Sequence, residues 1–182
     1  MFSEVLSQII ARLERARENR LLQTYALIGG FAVSAWGVSR ATRDIDLAVA
    51  LGTSAPSALA AHLGGTYEGG DADDPLRGVF RLTIESNGQD VPVQLIVLKP
   101  KWAEEVFRDI ETVKLLGCTV PIVSWRSLVL MKLYAGGPID LQDAKGIITV
   151  RKPSAAEQEI LIVQADGLGL AQEVRALLDS SV

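Results

Sequence analysis

Two aspartates, Asp44 and Asp46, stand two residues apart where an apolar run begins that continues through Val49. Residues i and i+2 of a strand point to the same side, so a strand here would aim both carboxylates in one direction, roughly 7 Å apart at the backbone. Burying two converging carboxylates is costly without a partner. Mg²⁺ is a suitable partner because it takes oxygen ligands and is commonly shared between carboxylates and substrate phosphates. The pair therefore predicts a divalent-metal site, and a solvated strand start is the alternative.

A Gly-Gly pair, Gly29 and Gly30, precedes Asp44 and stands where a short apolar run ending at Ile28 gives way to a helical pattern. Free backbone N–H groups at the start of a helix point at anions, and glycine lets a phosphate approach the backbone closely. A metal on one strand and a phosphate on the neighbouring turn would together form a nucleotide site. The alternative is that the two glycines only shape a turn.

The periodicity of the apolar residues predicts an α/β (α+β) fold, with a small mixed twisted sheet and flanking helices. Asn87-Gly88 predicts a tight hairpin turn, and Pro92 predicts that the start of its strand lies at an edge or bulge. Strands are predicted over residues 25–28, 44–49, 78–85, 91–98, 112–116 and 119–123. Helices are predicted over residues 3–19, 31–36, 54–63, 102–110, 125–134, 140–148, 154–165 and 170–178. Residues 66–77 are predicted to form an exposed loop, and Ser54 and Ser124 to cap helices.

Bulk composition narrows the class of protein. The 182 residues fit one domain, or one with a helical extension, and 48% apolar residues favour a packed core over disorder. The formal net charge of −4 gives no global attraction to nucleic acid, so an RNA partner would need a local basic patch. The single cysteine, Cys118, excludes an internal disulfide and is typical of a reducing compartment. With no secretion signal and no apolar run long enough to span a membrane, we expect a cytoplasmic protein.

The glycine and aspartate motifs together resemble the DNA polymerase beta-type nucleotidyltransferases, whose signature is a Gly-Gly or Gly-Ser turn followed by Asp-x-Asp. The fuller string looks most like the AbiEii-type branch, which is known from bacterial toxin–antitoxin systems. That string reads Gly29-Gly30, then Arg40-Ala41-Thr42-Arg43-Asp44-Ile45-Asp46-Leu47. The resemblance implies nucleotide contacts from Arg40, Thr42 and Arg43. From the residues alone, the two arginines could equally offset the charge of a triphosphate or pair with the aspartates.

A second string, Lys132-Leu133-Tyr134-Ala135 followed by Asp140-Leu141-Gln142-Asp143, resembles the second signature of the same branch. By itself, Lys132 could extend to solvent or face a site, and the aspartates could be ordinary partners of a helix dipole. The resemblance implies that Lys132 lines the triphosphate site, that Asp140 contributes to activity and that Asp143 assists. Gly137 and Pro138 stand where the signature has a basic residue, so a phosphate contact from that loop is not expected.

One departure from the pattern concerns a third carboxylate, which the superfamily usually supplies from a neighbouring strand. We expect that strand over residues 91–97, where Gln94 stands in the place of the acid. An amide cannot act as a base and is a poorer Mg²⁺ ligand. Two hypotheses follow: a nucleotidyltransferase with a modified site, or a nucleotide-binding regulatory or antitoxin-like protein that does not catalyse.

The combined prediction is a Mg²⁺-dependent transfer of a nucleoside monophosphate from a nucleoside triphosphate to an acceptor hydroxyl. Asp44, Asp46, Lys132 and Asp140 would be catalytic, with one or two Mg²⁺ ions on Asp44 and Asp46. RNA (including tRNA) or a protein would be the acceptor, a small drug hydroxyl is also compatible with the sequence, and a cognate antitoxin or toxin would be a further partner. The nucleotidyltransferase core is expected over residues 1–123, with a helical part over residues 124–182 packed on it.

Overall fold

The computed structural model describes residues 1–71 and 74–180. Its strands are β1 (Thr24–Leu27), β2 (Ile45–Ala50), β3 (Thr66–Gly69), β4 (Leu76–Ser86), β5 (Gln89–Leu98), β6 (Glu111–Leu115) and β7 (Cys118–Ile122). Its helices are α1 (Phe2–Glu18), α2 (Gly29–Ala35), α3 (Pro56–Leu63), α4 (Pro100–Val106), α5 (Trp125–Ala135), α6 (Pro138–Arg151), α7 (Ala155–Leu168) and α8 (Ala171–Asp179).

The seven strands form one mixed sheet in the order β3-β4-β5-β2-β1-β7-β6. The β2–β5 and β1–β7 pairs are parallel, and the other neighbours are antiparallel. This arrangement confirms the predicted α/β class with a mixed sheet. The β4–β5 hairpin turns at Asn87-Gly88 as predicted, and Asn87 has a φ of 54° there. The register of β2 with β5 begins at Ile45 opposite Val93, so Pro92 precedes the paired segment as expected.

The two faces of the sheet differ in their cover. Helices α1 and α3 lie over one face, where the Tyr25 hydroxyl donates to Glu14 and the Ser86 hydroxyl donates to Glu4. The side chains of this face are almost fully buried: Ile45, Leu47, Val49, Phe80, Leu82, Val91, Val93, Leu95 and Val97. Helices α2, α4 and α5 cover part of the other face, which carries Asp46. Alternation of apolar and polar residues along β4 and β5 therefore separates a core face from a face that can hold a site.

Several predicted boundaries are wrong. Residues 66–69 were predicted as loop but form β3, because Thr66 pairs with Arg81 and the Tyr67 ring packs on Phe80 with centroids 4.8 Å apart. Residues 72–73 of that predicted loop lie outside the described residues. Ser54 does not cap α3: its hydroxyl donates to the Arg20 carbonyl, 3.0 Å away, and Ala55 is the capping residue.

The helices also differ from their predicted bounds, most of them by one to three residues at an end. Helix α2 begins at Gly29 and α6 at Pro138, each two residues earlier than predicted, and proline is favoured in a first turn, where its missing N–H costs little. Helix α4 ends at Val106, four residues early. The Ser124 cap is confirmed, since its hydroxyl accepts from the Ser127 N–H.

The predicted boundary after residue 123 coincides with the start of the helical part, because every strand in the described chain precedes α5. The division into a core and a helical part stays a prediction. Among the described residues, none of the helices combines the length and the apolar character needed to cross a bilayer.

Candidate functional site

Gly29 lies directly against the carboxylate of Asp46. Strand β1 ends beside β2, and the Ile28 N–H donates to the Asp46 carbonyl at 3.0 Å. Gly29 has a φ of +65°, and a Cβ built on it would lie 2.0 Å from Asp46 Oδ2. No other residue could occupy this position without displacing the carboxylate. The structure therefore brings together the predicted turn and one of the two predicted metal ligands.

Gly30 packs against a different side chain, that of Thr42. It is buried, and a Cβ at this position would lie 2.7 Å from the Cβ of Thr42. The Thr42 hydroxyl donates to Asp44 Oδ1 at 2.8 Å. The missing side chain of Gly30 thus makes room for Thr42, which orients Asp44. A phosphate contact from the Gly30 backbone stays a prediction.

Asp44 and Asp46 are electrostatically coupled. Asp44 immediately precedes β2 and Asp46 lies in it, so the strand begins one residue later than predicted. Burial and, to a smaller extent, repulsion from Asp44 raise the pKa of Asp46 to about 6, against the opposing effect of the positive charges of Lys132 and Arg40. A largely buried carboxylate beside a second one, close to a glycine turn that leaves no room for a side chain, suits a divalent cation that is shared between carboxylates and phosphate oxygens.

Lys132 is buried in α5, with 8% of its surface exposed, and does not extend to solvent. Its ammonium lies 2.7 Å from Asp140 Oδ1 and 3.0 Å from Asp143 Oδ2. The same Asp143 oxygen accepts a hydrogen bond from the Arg40 guanidinium. Arg40 therefore pairs with Asp143 on α6, and not with the aspartates next to it in sequence. Arg43, in contrast, is exposed.

A cavity of about 190 Å³ lies between the sheet and α5. Its polar lining consists of Gly29, Asp46, Lys132 and Asp140, all of which the sequence had singled out. Its apolar lining includes Ile96 from β5 and Met131 from α5. Sequence reasoning missed these two, because an apolar residue in a strand or helix carries no signal that separates cavity lining from core. Thr42, Asp44, Arg40 and Asp143 do not line the cavity but hold or flank residues that do.

Gln94 lies beside Asp46 in the sheet. The two are direct partners in the parallel register of β2 and β5, so their side chains leave the sheet on the same face. The predicted placing of Gln94 is thereby confirmed. Across the described residues, no group of three or more His, Cys, Asp or Glu side chains is arranged to hold a metal ion. The site therefore offers two carboxylates and an amide at the positions where three acids were expected.

Comparisons with known proteins place the fold. No family model and no curated protein matches the chain. An antigenic nucleotidyltransferase-like protein from Paracoccidioides brasiliensis has a similar crystal structure, with a TM-score of 0.54 and 17% identity over 97% of this chain and 93% of that one. The antibiotic-resistance factor ANT(2'')-Ia is similar in its solution structure, with a TM-score of 0.52 and 16% identity over 96% of this chain and 98% of that one. At these identities the likeness concerns the fold alone, and the chain has the fold of nucleotidyltransferase-like proteins.

Proposed function

We propose that the chain transfers a nucleoside monophosphate from a nucleoside triphosphate to an acceptor hydroxyl. The observation that carries the proposal is the contact between the Gly29 turn and Asp46 in a cavity that also contains Lys132. Anion-binding backbone, a metal-binding carboxylate and a buried cation meet there within one small volume. This combination suits a polyphosphate that arrives with Mg²⁺.

Asp44 and Asp46 would hold the Mg²⁺, and Thr42 keeps Asp44 in position. Mg²⁺ bound there would supply neutralisation of the phosphate charge and, as a second ion, activation of the acceptor hydroxyl. The N–H groups at the start of α2 bind phosphate oxygens, and the Lys132 ammonium attracts the triphosphate from the opposite wall of the cavity. Catalysis of this kind depends on positioning and on fixed charges aimed at the phosphates.

Asp140 and Asp143 act through the cations that they hold. Asp143 is buried and binds both Arg40 and Lys132, so one carboxylate joins the loop before β2 to helix α5. Asp140 holds Lys132 from the cavity side. In this proposal Asp143 positions the two cations and does not touch the nucleotide, whereas Asp140 lies at the cavity and can exchange its contact with Lys132 for one with a bound ligand.

The AbiEii-type branch, with RNA or protein as acceptor and a toxin–antitoxin role, is a further part of the proposal that depends on the two sequence signatures alone. ANT(2'')-Ia is by its description an antibiotic-resistance factor, and a small drug hydroxyl is the alternative acceptor in this proposal. The fold is compatible with both. A cytoplasmic location likewise stays a prediction.

A second candidate function, nucleotide binding without transfer, is favoured by Gln94. The amide stands beside Asp46, where a carboxylate could take the proton of the acceptor hydroxyl. A protein that binds Mg²⁺ and nucleotide through Asp44 and Asp46 but lacks that base could serve as a regulatory or antitoxin-like partner.

A labelling experiment separates the two candidates. The chain is incubated with Mg²⁺ and each nucleoside triphosphate labelled at the α-phosphate, together with total RNA, lysate protein or small-molecule extract. If the chain transfers the nucleotide, one of these fractions becomes labelled by the unaltered protein. No fraction becomes labelled when the Asp44→Asn or Asp46→Asn variant is used. Mg²⁺-dependent nucleotide binding without label in any fraction supports the binding protein, and absence of nucleotide binding contradicts both.

A further inference from the structure

We propose that the ring of Tyr134 is the stacking platform for the base of the nucleoside triphosphate, so that the base binds outside the cavity that takes the phosphates. This inference deepens the proposed function and rests on it. Tyr134 belongs to α5 and stands in sequence between two residues of the cavity lining, Lys132 and Ala135. Although it is a large aromatic residue next to the candidate site, 44% of its surface is exposed.

The cavity is too small to enclose a whole nucleoside triphosphate. Its volume is about 190 Å³, whereas pockets that enclose a small molecule have volumes of roughly 300–1,000 Å³. The charged residues of its lining, Asp46, Lys132 and Asp140, suit phosphates and the Mg²⁺ that accompanies them. The phosphates therefore occupy the cavity, and the nucleoside extends beyond its mouth.

The geometry of α5 places Lys132 and Tyr134 on opposite flanks of the cavity lining. One stripe of the helix lines the cavity with apolar side chains: Leu128, Met131 and Ala135. At about 3.6 residues per turn, Lys132 lies on one side of this stripe and Tyr134 on the other. Lys132 contacts Asp140 of α6, whereas Tyr134 contacts Trp102 of α4. A nucleotide whose phosphates lie at Lys132 therefore reaches Tyr134 by crossing the apolar stripe.

The path across this stripe suits an uncharged base. Ile96 lines the cavity from β5 and Met131 lines it from α5. Helix α4 contacts both β5 and α5, and neither α4 nor β5 contributes a charged residue to the lining. A nucleobase is flat and uncharged, and contact of its faces with apolar side chains removes apolar surface from water. The base is therefore directed toward α4, and the phosphates toward Asp46 and Lys132.

Trp102 holds the ring of Tyr134 in place. The two ring centroids are 5.0 Å apart and the ring planes form an angle of 67°, which is the edge-to-face arrangement that aromatic pairs favour. Trp102 is itself buried, with 8% of its surface exposed, so a residue of the core supports an exposed ring. A ring that is already held in place loses little conformational freedom when a ligand stacks on it, and such preorganisation favours binding.

Stacking on an aromatic ring makes the site tolerant of different bases. Every base has a π-face, and stacking requires no particular pattern of hydrogen bonds. We expect all four nucleoside triphosphates to bind, and the purines to bind more tightly than the pyrimidines because a two-ring base covers more of the tyrosine. Tripolyphosphate, which has neither sugar nor base, should bind in the cavity without contacting Tyr134.

The test uses the full chain with Mg²⁺ and compares α,β-methylene analogues of the four nucleoside triphosphates with tripolyphosphate by calorimetry. The methylene group prevents transfer during the measurement. We expect Tyr134→Leu to weaken binding of the two purine analogues by at least roughly fivefold. Tripolyphosphate affinity should stay unchanged in this variant, which also shows that the variant is folded. Tyr134→Phe keeps the ring and should keep the affinities of the unaltered chain.

Val163→Ala is the matched control, because it truncates another exposed apolar side chain on a helix that contributes nothing to the cavity lining. Val163 is 63% exposed on α7, and its truncation should change none of the affinities. The platform is overturned if Tyr134→Leu binds the purine analogues as tightly as the unaltered chain does, or if it loses analogue and tripolyphosphate affinity equally. Tighter binding of pyrimidine than of purine analogues would also overturn it. Failure of the unaltered chain to bind either the analogues or tripolyphosphate with Mg²⁺ would instead overturn the proposed function.

Discussion

The two halves of the candidate site are fixed by different forces. In the turn half (Gly29, Gly30, Thr42, Asp44 and Asp46), side chains occupy space that only glycine leaves free. In the helix half (Arg40, Lys132, Asp140 and Asp143), two cations and two carboxylates hold one another across three segments of the chain. The turn half should therefore respond to added volume, and the helix half to lost charge.

Gly29→Ala should have the largest effect. The added methyl group would overlap Asp46 Oδ2, and the φ of +65° strains any L-residue. We expect Mg²⁺–nucleotide affinity to fall by about a hundredfold or more, with a loss of stability of about 1–3 kcal/mol. Calorimetry and urea unfolding measure the two quantities.

Gly88→Ala is the matched control for that substitution. Gly88 has a φ of +74°, but no atom lies within 4 Å of a Cβ built there. The Gly88→Ala variant should therefore lose stability through backbone strain alone and keep the nucleotide affinity of the unaltered chain. If Gly88→Ala and Gly29→Ala weaken nucleotide binding equally, close packing at Gly29 does not shape the site.

Asp143→Asn tests the helix half. The substitution keeps the shape of the side chain but leaves the buried Lys132 with Asp140 as its remaining carboxylate, and removes the partner of Arg40. Breaking a buried ion pair costs about 3 kcal/mol of unfolding free energy, measurable by urea titration. Glu68→Gln, which removes the exposed partner of Arg81, should cost less than about 1 kcal/mol. Similar losses in both variants would show that the buried network adds no more than a surface pair.

Acid should have opposite effects on the stability of the metal-free chain and on its affinity for Mg²⁺ and nucleotide, and both effects come from Asp46 in the turn half. Because burial raises the pKa of Asp46 from 3.8 to about 6, the folded chain binds this proton more tightly than the unfolded chain does. Without metal, stability should therefore rise as the pH falls from about 6 toward 4. Mg²⁺ competes with the same proton, so Mg²⁺–nucleotide affinity should fall by about tenfold per pH unit over that window.

The two opposite trends distinguish titration of Asp46 from general acid unfolding. Asp46→Asn should lose the rise in stability of the metal-free chain, measured by urea unfolding across the same pH range. If stability and nucleotide affinity of the unaltered chain decline together below pH 6, another group controls the acid response.

The sequence predicted more of the turn half than of the helix half. The Gly-Gly turn and the Asp-x-Asp spacing are local, and strand geometry predicted that the Asp44 and Asp46 carboxylates share one side, beside the turn. The pairing of Arg40 with Asp143 spans 103 residues and depends on how α6 docks, which no local pattern encodes. Strand β3 was missed for the same reason, since Thr66–Gly69 becomes a strand by pairing with β4 and not by its own Gly-rich composition.

The smallest predicted effect separates two roles of Thr42. Its hydroxyl donates to Asp44, and its Cβ, its hydroxyl oxygen and, farther away, its methyl group fill the space that Gly30 leaves open. Thr42→Val keeps the volume and removes the hydrogen bond, which should cost about 1 kcal/mol of Mg²⁺–nucleotide binding, roughly fivefold in affinity. Thr42→Ser keeps the hydroxyl and removes the methyl group, so its affinity should stay near that of the unaltered chain. If calorimetry gives the reverse order, Thr42 shapes the site by packing on Gly30, and Asp44 needs no donor to reach its metal-binding orientation.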